Sequence, residues 1–373
     1  MTKVMTIVGT RPEIIRLSRV IPKLDKYFDH VLVHTGQNYD FELNDIFFKE
    51  LEIRDPDVYL ACASVTAAAT IASVIEKVDV ILEQHKPDAV LILGDTNSAM
   101  AAIPAKRRKI PIFHMEAGNR CFDLRVPEEI NRKIVDHIAD VNLPYSTIAR
   151  DYLLREGISP EFVVKTGSPM GEILEFYKNK VNDSSVIAQR FLEKEGYFLV
   201  SIHREENVDS DSHIKSFVEV LDRIASVYNK PIIVSTHPRT RKRIDDLQLI
   251  FHPLVQLCKP IGFPDYISLQ ANSFMVLSDS GTITEESSIL NFPAINIREA
   301  QERPEGFEEG AVMFTGMSVS RIMEAISVLV DQKRGSIRQI EIVKDYSVSN
   351  VSDKVVRVII SYIDLINKKI WRK

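Results

Sequence analysis

Five short apolar runs in this chain each end abruptly in a cluster of polar, charged or glycine residues. The runs read VMTIV, AVLIL, IPIF, YFLVSI and FMVL. Buried parallel strands have this continuous apolar pattern, and open α/β sheets bind ligands just beyond the carboxyl ends of such strands. The pattern therefore predicts parallel sheets with the polar clusters at a ligand site. The residue types in the clusters suggest a phosphate-bearing ligand and acid–base work.

The length of 373 residues indicates two domains, because single hydrophobic cores stop growing at about 250–300 residues. Apolar residues make up 45% of the chain and charged residues 27%, as in ordinary globular proteins. The net charge of -5 lacks the basic excess of a nucleic-acid-binding protein, which argues against nucleic acid as a partner.

The three cysteines, Cys62, Cys121 and Cys258, have neither the spacing of a disulfide framework nor that of a zinc site. They predict a reducing compartment, the cytoplasm. The amino terminus runs directly into a strand pattern, which leaves no room for a signal peptide. Every apolar run is shorter than the roughly 20 residues that span a bilayer, so we expect no membrane partner.

Strand patterns alternate with helical patterns along the chain, which predicts βα units. The first half has strand patterns at VMTIV, HVLVH, AVLIL, IPIFH, VNLPY and VVKTG. Residues 171–196 read as a connecting helix and linker. The second half has strand patterns at FLVSIH, PIIVSTH, VQLC, FMVLSD and AINI, and two helices are expected after about Ser318. The predicted fold class is α/β, with two Rossmann-like parallel-sheet domains facing each other across a cleft.

The segment GTRPE, residues 9–13, lies between a strand pattern and a helix pattern. Pro12 suits the first position of a helix. Arg11, and Arg16 one turn further along, are candidates to bind an anion at the helix amino terminus. An ordinary βα loop with surface arginines explains this motif equally well.

Carboxylates follow two further strand patterns, Asp95 in GDT and Glu116 in HMEAG. Adjacent parallel strands lie roughly 5 Å apart, so the two carboxylates share a pocket if their strands are neighbours. Such a pair provides a proton donor and a proton acceptor, because like charges push one pKa upward. Glu128, in the first turn of a helix that begins at Pro127, is a third candidate. Helix capping explains Asp95 alone, and helix-dipole chemistry explains Glu128 alone.

In the second half, His203 and Arg204 follow the strand pattern YFLVSI, a position that suits diphosphate binding or acid–base work. A charged βα loop is the alternative. His237 follows PIIVST and either approaches the ligand or lies in a turn.

The segment 278–286, SDSGTITEE, is the most informative local motif. A loop of small residues that opens onto a helix amino terminus is the usual cradle for phosphate. Glu286, one turn into the helix, is a candidate to bind a ribose hydroxyl, and Arg303 is a candidate to close over a diphosphate. A capped βα loop is the alternative. The absence of Gly-x-Gly-x-x-Gly from every strand end disfavours NAD, and there is no Walker A motif.

Taken in order, the motifs GTRPE, GDT, HMEAG, PEEINR, HREEN, DSG-x-x-x-EE and ERPE resemble the non-hydrolysing UDP-N-acetylglucosamine 2-epimerase family nearly end to end. The resemblance implies the GT-B fold and a homodimer. It implies an amino-terminal Rossmann-like domain at 1–170 with the catalytic carboxylates and a UDP-binding domain at 171–350. A terminal helix at 351–373 would pack back on the first domain.

The resemblance also implies residue roles and a reaction. The reaction is loss of UDP with C1–O cleavage, removal of the C2 proton to give a 2-acetamidoglucal, and re-addition of UDP, without a redox cofactor or an obligatory metal. Catalytic roles fall on Asp95, Glu116, Glu128 and His203. UDP binding falls on Arg11, Arg16, His203, His237, Tyr266, Ser280, Gly281, Thr282, Glu286 and Arg303.

Some positions depart from the family pattern. Gln37-Asn38 stands where some members have the Gln-His of an activating UDP-GlcNAc site, which argues against activation here. Residues 118–137 look more like a capsule and O-antigen branch of polysaccharide biosynthesis. That branch epimerises UDP-2-acetamido-2,6-dideoxy-L-talose to UDP-N-acetyl-L-fucosamine, the alternative to UDP-GlcNAc. A glycosyltransferase of the same fold, a non-catalytic nucleotide-sugar sensor and a hydrolysing epimerase are three further functions that the motifs leave open.

Overall fold

The chain folds into two units, each with its own parallel sheet and core. The first unit comprises Met1–Glu175 and Asp345–Lys373, and the second comprises Phe176–Lys344. The domain boundaries expected from the sequence stay a prediction. A computed structural model describes residues 1–37, 48–202, 210–236 and 238–373.

The first unit contains a six-stranded sheet. Its strands are β1 (Lys3–Val8), β2 (Asp29–His34), β3 (Val58–Tyr59), β4 (Ala89–Leu93), β5 (Ile112–Met115) and β6 (Val141–Leu143). They are parallel and lie in the order β3-β2-β1-β4-β5-β6. This is the Rossmann order, in which the chain reverses its direction of travel across the sheet between β1 and β4.

Helices cover both faces of this sheet. They are α1 (Arg11–Leu17), α2 (Val20–Tyr27), α3 (Ala67–His85), α4 (Ala102–Arg107), α5 (Pro127–Ile138), α6 (Thr147–Arg155), α7 (Met170–Phe176) and, from the end of the chain, α16 (Val351–Ile366). β4 is buried along its whole length because both faces of the sheet are covered. α16 packs against α2, where Lys23 forms an ion pair with Asp353.

The second unit repeats this topology. Its strands are β7 (Phe198–Ile202), β8 (Ile232–Thr236), β9 (Val255–Cys258), β10 (Met275–Ser278), β11 (Ala294–Asn296) and β12 (Met313–Phe314). They are parallel, in the order β12-β11-β10-β7-β8-β9. Read from the other edge this is again the Rossmann order, with the reversal between β7 and β10.

The helices of the second unit include short ones in the connecting segment. They are α8 (Lys178–Asn182), α9 (Val186–Gln189), α10 (Asp211–Tyr228), α11 (Pro238–Asp246), α12 (Phe263–Asn272), α13 (Ile283–Leu290), α14 (Pro304–Glu308) and α15 (Val319–Leu329). The predicted α/β fold class, with two Rossmann-like parallel sheets, is confirmed. The two helices expected after about Ser318 are α15 and α16.

The prediction of one strand is wrong. Residues 163–167, VVKTG, do not form a strand, and only Val163 makes an isolated bridge, to Asn142. The two-residue strands β3 and β12 lie outside the predicted set, because an apolar pattern needs more residues to be visible. Within the described part of the chain, no helix is long and apolar enough to cross a membrane.

Candidate functional site

Polar residues collect in the first unit where its strand order reverses, between the carboxyl ends of β1 and β4. The two strands pair along their length, with Ile7 opposite Ile92. The loop of residues 9–10 follows β1, and the loop of residues 94–96 follows β4. Ligands of open α/β sheets bind at such reversal points.

Glu13 joins these two loops, and it is only 2% exposed. Its Oε2 atom accepts hydrogen bonds from the backbone N–H groups of Gly9 (2.5 Å) and Thr10 (2.9 Å). Its Oε1 atom accepts one from the Thr96 hydroxyl (2.5 Å). Burial raises the pKa of the Glu13 carboxyl to about 7, although the hydrogen bonds that it accepts lower it. Glu13 was not among the predicted site residues, although its place three residues after Thr10 is a capping-box signal.

Asp95, one of the predicted carboxylates, lies just after β4 and is held by an arginine. Its Oδ2 atom accepts hydrogen bonds from Nε (2.9 Å) and Nη2 (2.5 Å) of Arg132 on α5. The Asn131 side chain donates to the backbone carbonyl of Asp95 at 2.9 Å. The amino-terminal half of α5 is therefore fastened to the end of β4.

Glu116, the second predicted carboxylate, lies just after β5, the strand next to β4. A Cβ atom placed on Gly94 would lie 3.8 Å from its Oε2 atom, so the Asp95 loop and the Glu116 side chain are neighbours. Glu116 has a φ of 63°, the left-handed region that non-glycine residues rarely adopt. Such strain of about 1–3 kcal/mol is concentrated at functional sites.

The structure places Arg16 against Glu116. Its Nη1 atom lies 3.6 Å from Oε2 of Glu116, and its guanidinium carbon lies 5.5 Å from the centre of the Tyr145 ring. Arg16 is buried, whereas Arg11, at the first position of α1, is half-buried.

Glu128, the third predicted carboxylate, is the second residue of α5 and is half-buried. The next residue, Glu129, is fully buried and lies 3.0 Å from Nη1 of Arg132. Glu128 and the arginine that holds Asp95 therefore lie on the same helix, about one turn apart.

A buried charged network that the sequence reasoning missed lies under the β4 and β5 ends. His114 places Nε2 at 2.8 Å from the carbonyl oxygen of Gly94 and Nδ1 at 2.9 Å from Asp136. Arg120 donates to Asp136 at 2.7 Å and to Glu156 at 2.6 Å. Burial lowers the pKa of His114, but its contacts with Asp136 outweigh burial and leave it raised. The sequence signal was the histidine of HMEAG.

In the second unit, the loop after β10 brings together the predicted diphosphate-binding residues. The backbone N–H of Ser280 donates to Ser278 at 3.0 Å, and the hydroxyls of Ser280 and Thr282 lie 2.9 Å apart. Nε of Arg303 donates to the carbonyl oxygen of Gly281 at 3.1 Å. The loop ends at the amino terminus of α13, so backbone N–H groups and a guanidinium meet there.

Arg303 is also tied to the helix that follows the loop. Its Nε atom lies 3.3 Å from Oε2 of Glu285, which is fully buried. Arg303 is 4% exposed. Arg303 was among the predicted site residues, whereas Glu285 was not.

Glu286 and Tyr266, two further predicted ligands of UDP, lie on α13 and α12. Oε2 of Glu286 accepts a hydrogen bond from Nε2 of Gln270 at 2.7 Å. Tyr266 lies four residues before Gln270, so the two share a face of α12. A cavity of about 480 Å³ lies at the start of α12, lined by Arg190, Lys259, Pro260, Ile261, Gly262 and Asp265 among others.

Two predicted site residues, His203 and His237, lie outside the described residues. Arg204, named with His203, also lies outside them.

Comparisons with known proteins agree with this geometry. The model of the family UDP-N-acetylglucosamine 2-epimerase matches residues 22–360. The UDP-N-acetylglucosamine 2-epimerase of Methanocaldococcus jannaschii is 35% identical over 342 residues, which are 89% of this chain and 93% of that protein.

Solved structures agree as well. The structure of UDP-N-acetylglucosamine 2-epimerase from Rickettsia bellii superposes with a TM-score of 0.94 at 49% identity, over 100% of both chains. The Methanocaldococcus jannaschii UDP-GlcNAc 2-epimerase in complex with UDP-GlcNAc and UDP superposes with a TM-score of 0.90 at 34% identity, over 96% of this chain and 100% of that one. Motifs, sheets and relatives thus lead to one assignment, and this chain belongs to the UDP-N-acetylglucosamine 2-epimerase family.

Proposed function

We propose that this protein is a non-hydrolysing epimerase that interconverts UDP-GlcNAc and UDP-ManNAc at C2 of the sugar. The relative from Methanocaldococcus jannaschii has been solved with UDP-GlcNAc and UDP bound. The observation that carries the proposal is the pair of carboxylates, Asp95 and Glu116, at the ends of neighbouring strands, each facing an arginine.

The chemistry explains why more than one carboxylate is needed. The C2 hydrogen of a UDP-sugar is not acidic, so UDP leaves first by cleavage of the C1–O bond. Removal of the C2 proton then gives a 2-acetamidoglucal. A proton returns to C2 from the opposite face, and UDP adds back at C1. Proton transfer on two faces of the sugar requires separate acid and base groups.

We assign this proton transfer to Asp95, Glu116 and Glu128. Arg132 fixes the orientation of Asp95 through two hydrogen bonds, and Arg16 lies against Glu116. Groups that are held in place before the substrate binds need little reorganisation in the transition state.

We assign the nucleotide to the second unit. The loop of residues 280–282 and the guanidinium of Arg303 stabilise the charge on the departing UDP, because backbone N–H groups and cations favour a developing anion. Glu286 accepts a hydrogen bond from a ribose hydroxyl, and Tyr266 lies beside the base. Arg11, Arg16, His203 and His237 complete the proposed UDP ligands.

Oligomeric state and location are proposals that rest on the family and on the cysteines. We expect a homodimer, which light scattering after size-exclusion chromatography would test. The three cysteines are free, which suits the reducing cytoplasm.

The experiment is proton NMR of UDP-GlcNAc incubated with the purified protein in D₂O. The expected result is deuterium at C2, formation of UDP-ManNAc and no free sugar. Free ManNAc together with UDP would instead indicate a hydrolysing epimerase. No exchange at C2 would overturn the proposal for UDP-GlcNAc, and UDP-2-acetamido-2,6-dideoxy-L-talose would be the next substrate.

A further inference from the structure

Gln270 lies on α12 and is buried, with 1% of its surface exposed. Its Nε2 atom donates to Oε2 of Glu286 at 2.7 Å. Its Oε1 atom is buried and has no hydrogen-bond partner among the residues that the structure describes. A buried carbonyl oxygen without a partner destabilises a fold. An apolar side chain of similar length would avoid that loss.

The surroundings of Gln270 place it beneath the proposed nucleotide site. Tyr266 lies one helical turn before it on the same face of α12 and is half-buried, nearer the surface. Glu286 lies across from it on α13 and is 5% exposed. Gln270 therefore lies deeper than Tyr266, and it holds the carboxylate of Glu286 by a hydrogen bond.

We infer that Gln270 is a positioning residue that sets the preference of this protein for a ribonucleotide over a deoxyribonucleotide. This inference rests on the proposed function, because it takes Glu286 as the acceptor for a ribose hydroxyl. A carboxylate on a flexible side chain has several rotamers, and the amide of Gln270 selects one of them by a hydrogen bond to a charged group. A hydroxyl of the ligand then meets an acceptor that is already oriented, which reduces the entropy lost on binding.

A substitution at Gln270 can distinguish an effect on the stability of the fold from an effect on nucleotide binding. Replacing Gln270 by methionine removes the donor and also removes the unpartnered carbonyl oxygen. These two changes act on stability in opposite directions, because the bond to Glu286 is lost while the unpartnered oxygen is removed. The fold is therefore expected to persist, while binding of the ribose hydroxyl becomes weaker. A residue with only a structural role would not produce this combination.

The experiment is isothermal titration calorimetry of UDP, 2′-deoxy-UDP and 3′-deoxy-UDP with the full chain and with Gln270→Met. We expect the natural protein to bind at least one deoxynucleotide about tenfold more weakly than UDP, the effect of one hydrogen bond to a charged group. In Gln270→Met, UDP binds about tenfold more weakly and the preference disappears. Binding of that deoxynucleotide is unchanged.

The control is Asn272→Leu, which removes an amide from the same helix. Asn272 donates to the carbonyl oxygen of Ser268 within α12, and because it lies two residues after Gln270 it faces a different side of the helix. This variant is expected to keep the preference. Gln270→Leu is a second test in case methionine packs poorly.

The outcomes are distinct from those of the proposed function. If the natural protein binds no UDP, the proposed function fails. If it binds UDP and epimerises UDP-GlcNAc, but shows no ribose preference or keeps that preference in both Gln270 variants, this inference alone fails. Loss of the folded state in both Gln270 variants also overturns it, because an apolar replacement should be tolerated.

Discussion

The hydroxyl of Thr96 lies 2.5 Å from Oε1 of Glu13, although the two residues are 83 positions apart in the chain. This contact joins the loop after β4, which carries Asp95, to the first helix after β1, which carries Arg11. The carboxyl of Glu13 therefore holds together the two strand ends at which the sheet order reverses.

The raised pKa of Glu13 predicts a pH dependence of stability. The Glu13 carboxyl binds its proton more tightly in the folded protein than in the unfolded chain, where its pKa is near 4.5. The contribution to stability is therefore fully present below pH 4.5 and is lost as the pH rises through about 7. The shift from 4.5 to about 7 corresponds to about 3 kcal/mol of unfolding free energy that is lost over this pH range.

Urea unfolding at pH 5, 6, 7 and 8 measures this contribution, with Glu13→Gln as the variant that cannot titrate. The unfolding free energy of the natural protein should fall with rising pH relative to that of the variant. Parallel pH profiles for the two proteins would contradict the role of Glu13.

Asp95→Asn should abolish epimerisation while UDP still binds. The amide cannot take up a proton, and loss of a general acid–base group typically reduces the rate by about 10²–10⁴-fold. Deuterium exchange at C2 and calorimetric titration of UDP measure the two properties. Asp79→Asn is the matched control, because Asp79 also accepts two hydrogen bonds from one arginine, Arg108, but lies on the surface of α3. Retained turnover in Asp95→Asn would remove Asp95 from the mechanism.

Asp136→Asn should destabilise the first unit by about 3–5 kcal/mol. The buried carboxylate faces both His114 and Arg120, and its loss removes the fully buried counterion of both, while Arg120 keeps the partly exposed Glu156. Glu156→Gln removes the more exposed partner of Arg120 and should have an effect of at most about 1 kcal/mol. Urea unfolding of both variants measures the two losses in the free energy of unfolding. Equal losses would show that the burial of the carboxylate does not determine how much stability its removal costs.

Arg303→Lys should weaken UDP binding about tenfold or more. A lysine cannot reproduce the planar guanidinium that donates to the carbonyl oxygen of Gly281 and lies beside Glu285. Arg298→Lys is the control, because Arg298 is equally buried and pairs with Glu302 four residues away. Calorimetric titration of UDP that returns equal losses for both variants would indicate a general effect on the loop rather than contact with the diphosphate.

The strands were predictable where an apolar run was long enough to cross a buried sheet. β4 is buried at every residue, and its sequence AVLIL is a continuous apolar run. β7 is also buried throughout, and its sequence FLVSI is apolar except at Ser201. The segment VVKTG was also predicted to be a strand, but it has only two apolar residues and pairs at Val163 alone. Strand formation depends on a neighbouring strand that continues alongside, which the local sequence does not reveal.

The residues of the candidate site also include some that could be predicted from the sequence and some that could not. Asp95 and Glu116 were predictable because each directly follows a strand pattern, and strand ends are where α/β proteins bind ligands. Arg132, His114 and Gln270 were not, because each acts through a partner far away in the chain. The pattern of apolar and polar residues around them is that of ordinary buried or helical positions.

The sequence by itself determined the alternation of strands and helices, the polar strand ends and the order of the family motifs, because these are properties of neighbouring residues. Only the tertiary structure decided which charged and polar groups are paired: Asp95 with Arg132, Glu116 with Arg16 and Glu286 with Gln270. The physical reason is that hydrogen bonds and ion pairs act over a few ångströms of space. The number of residues between two partners in the chain does not tell how far apart they lie in space. That distance depends on the order of the strands in the sheet.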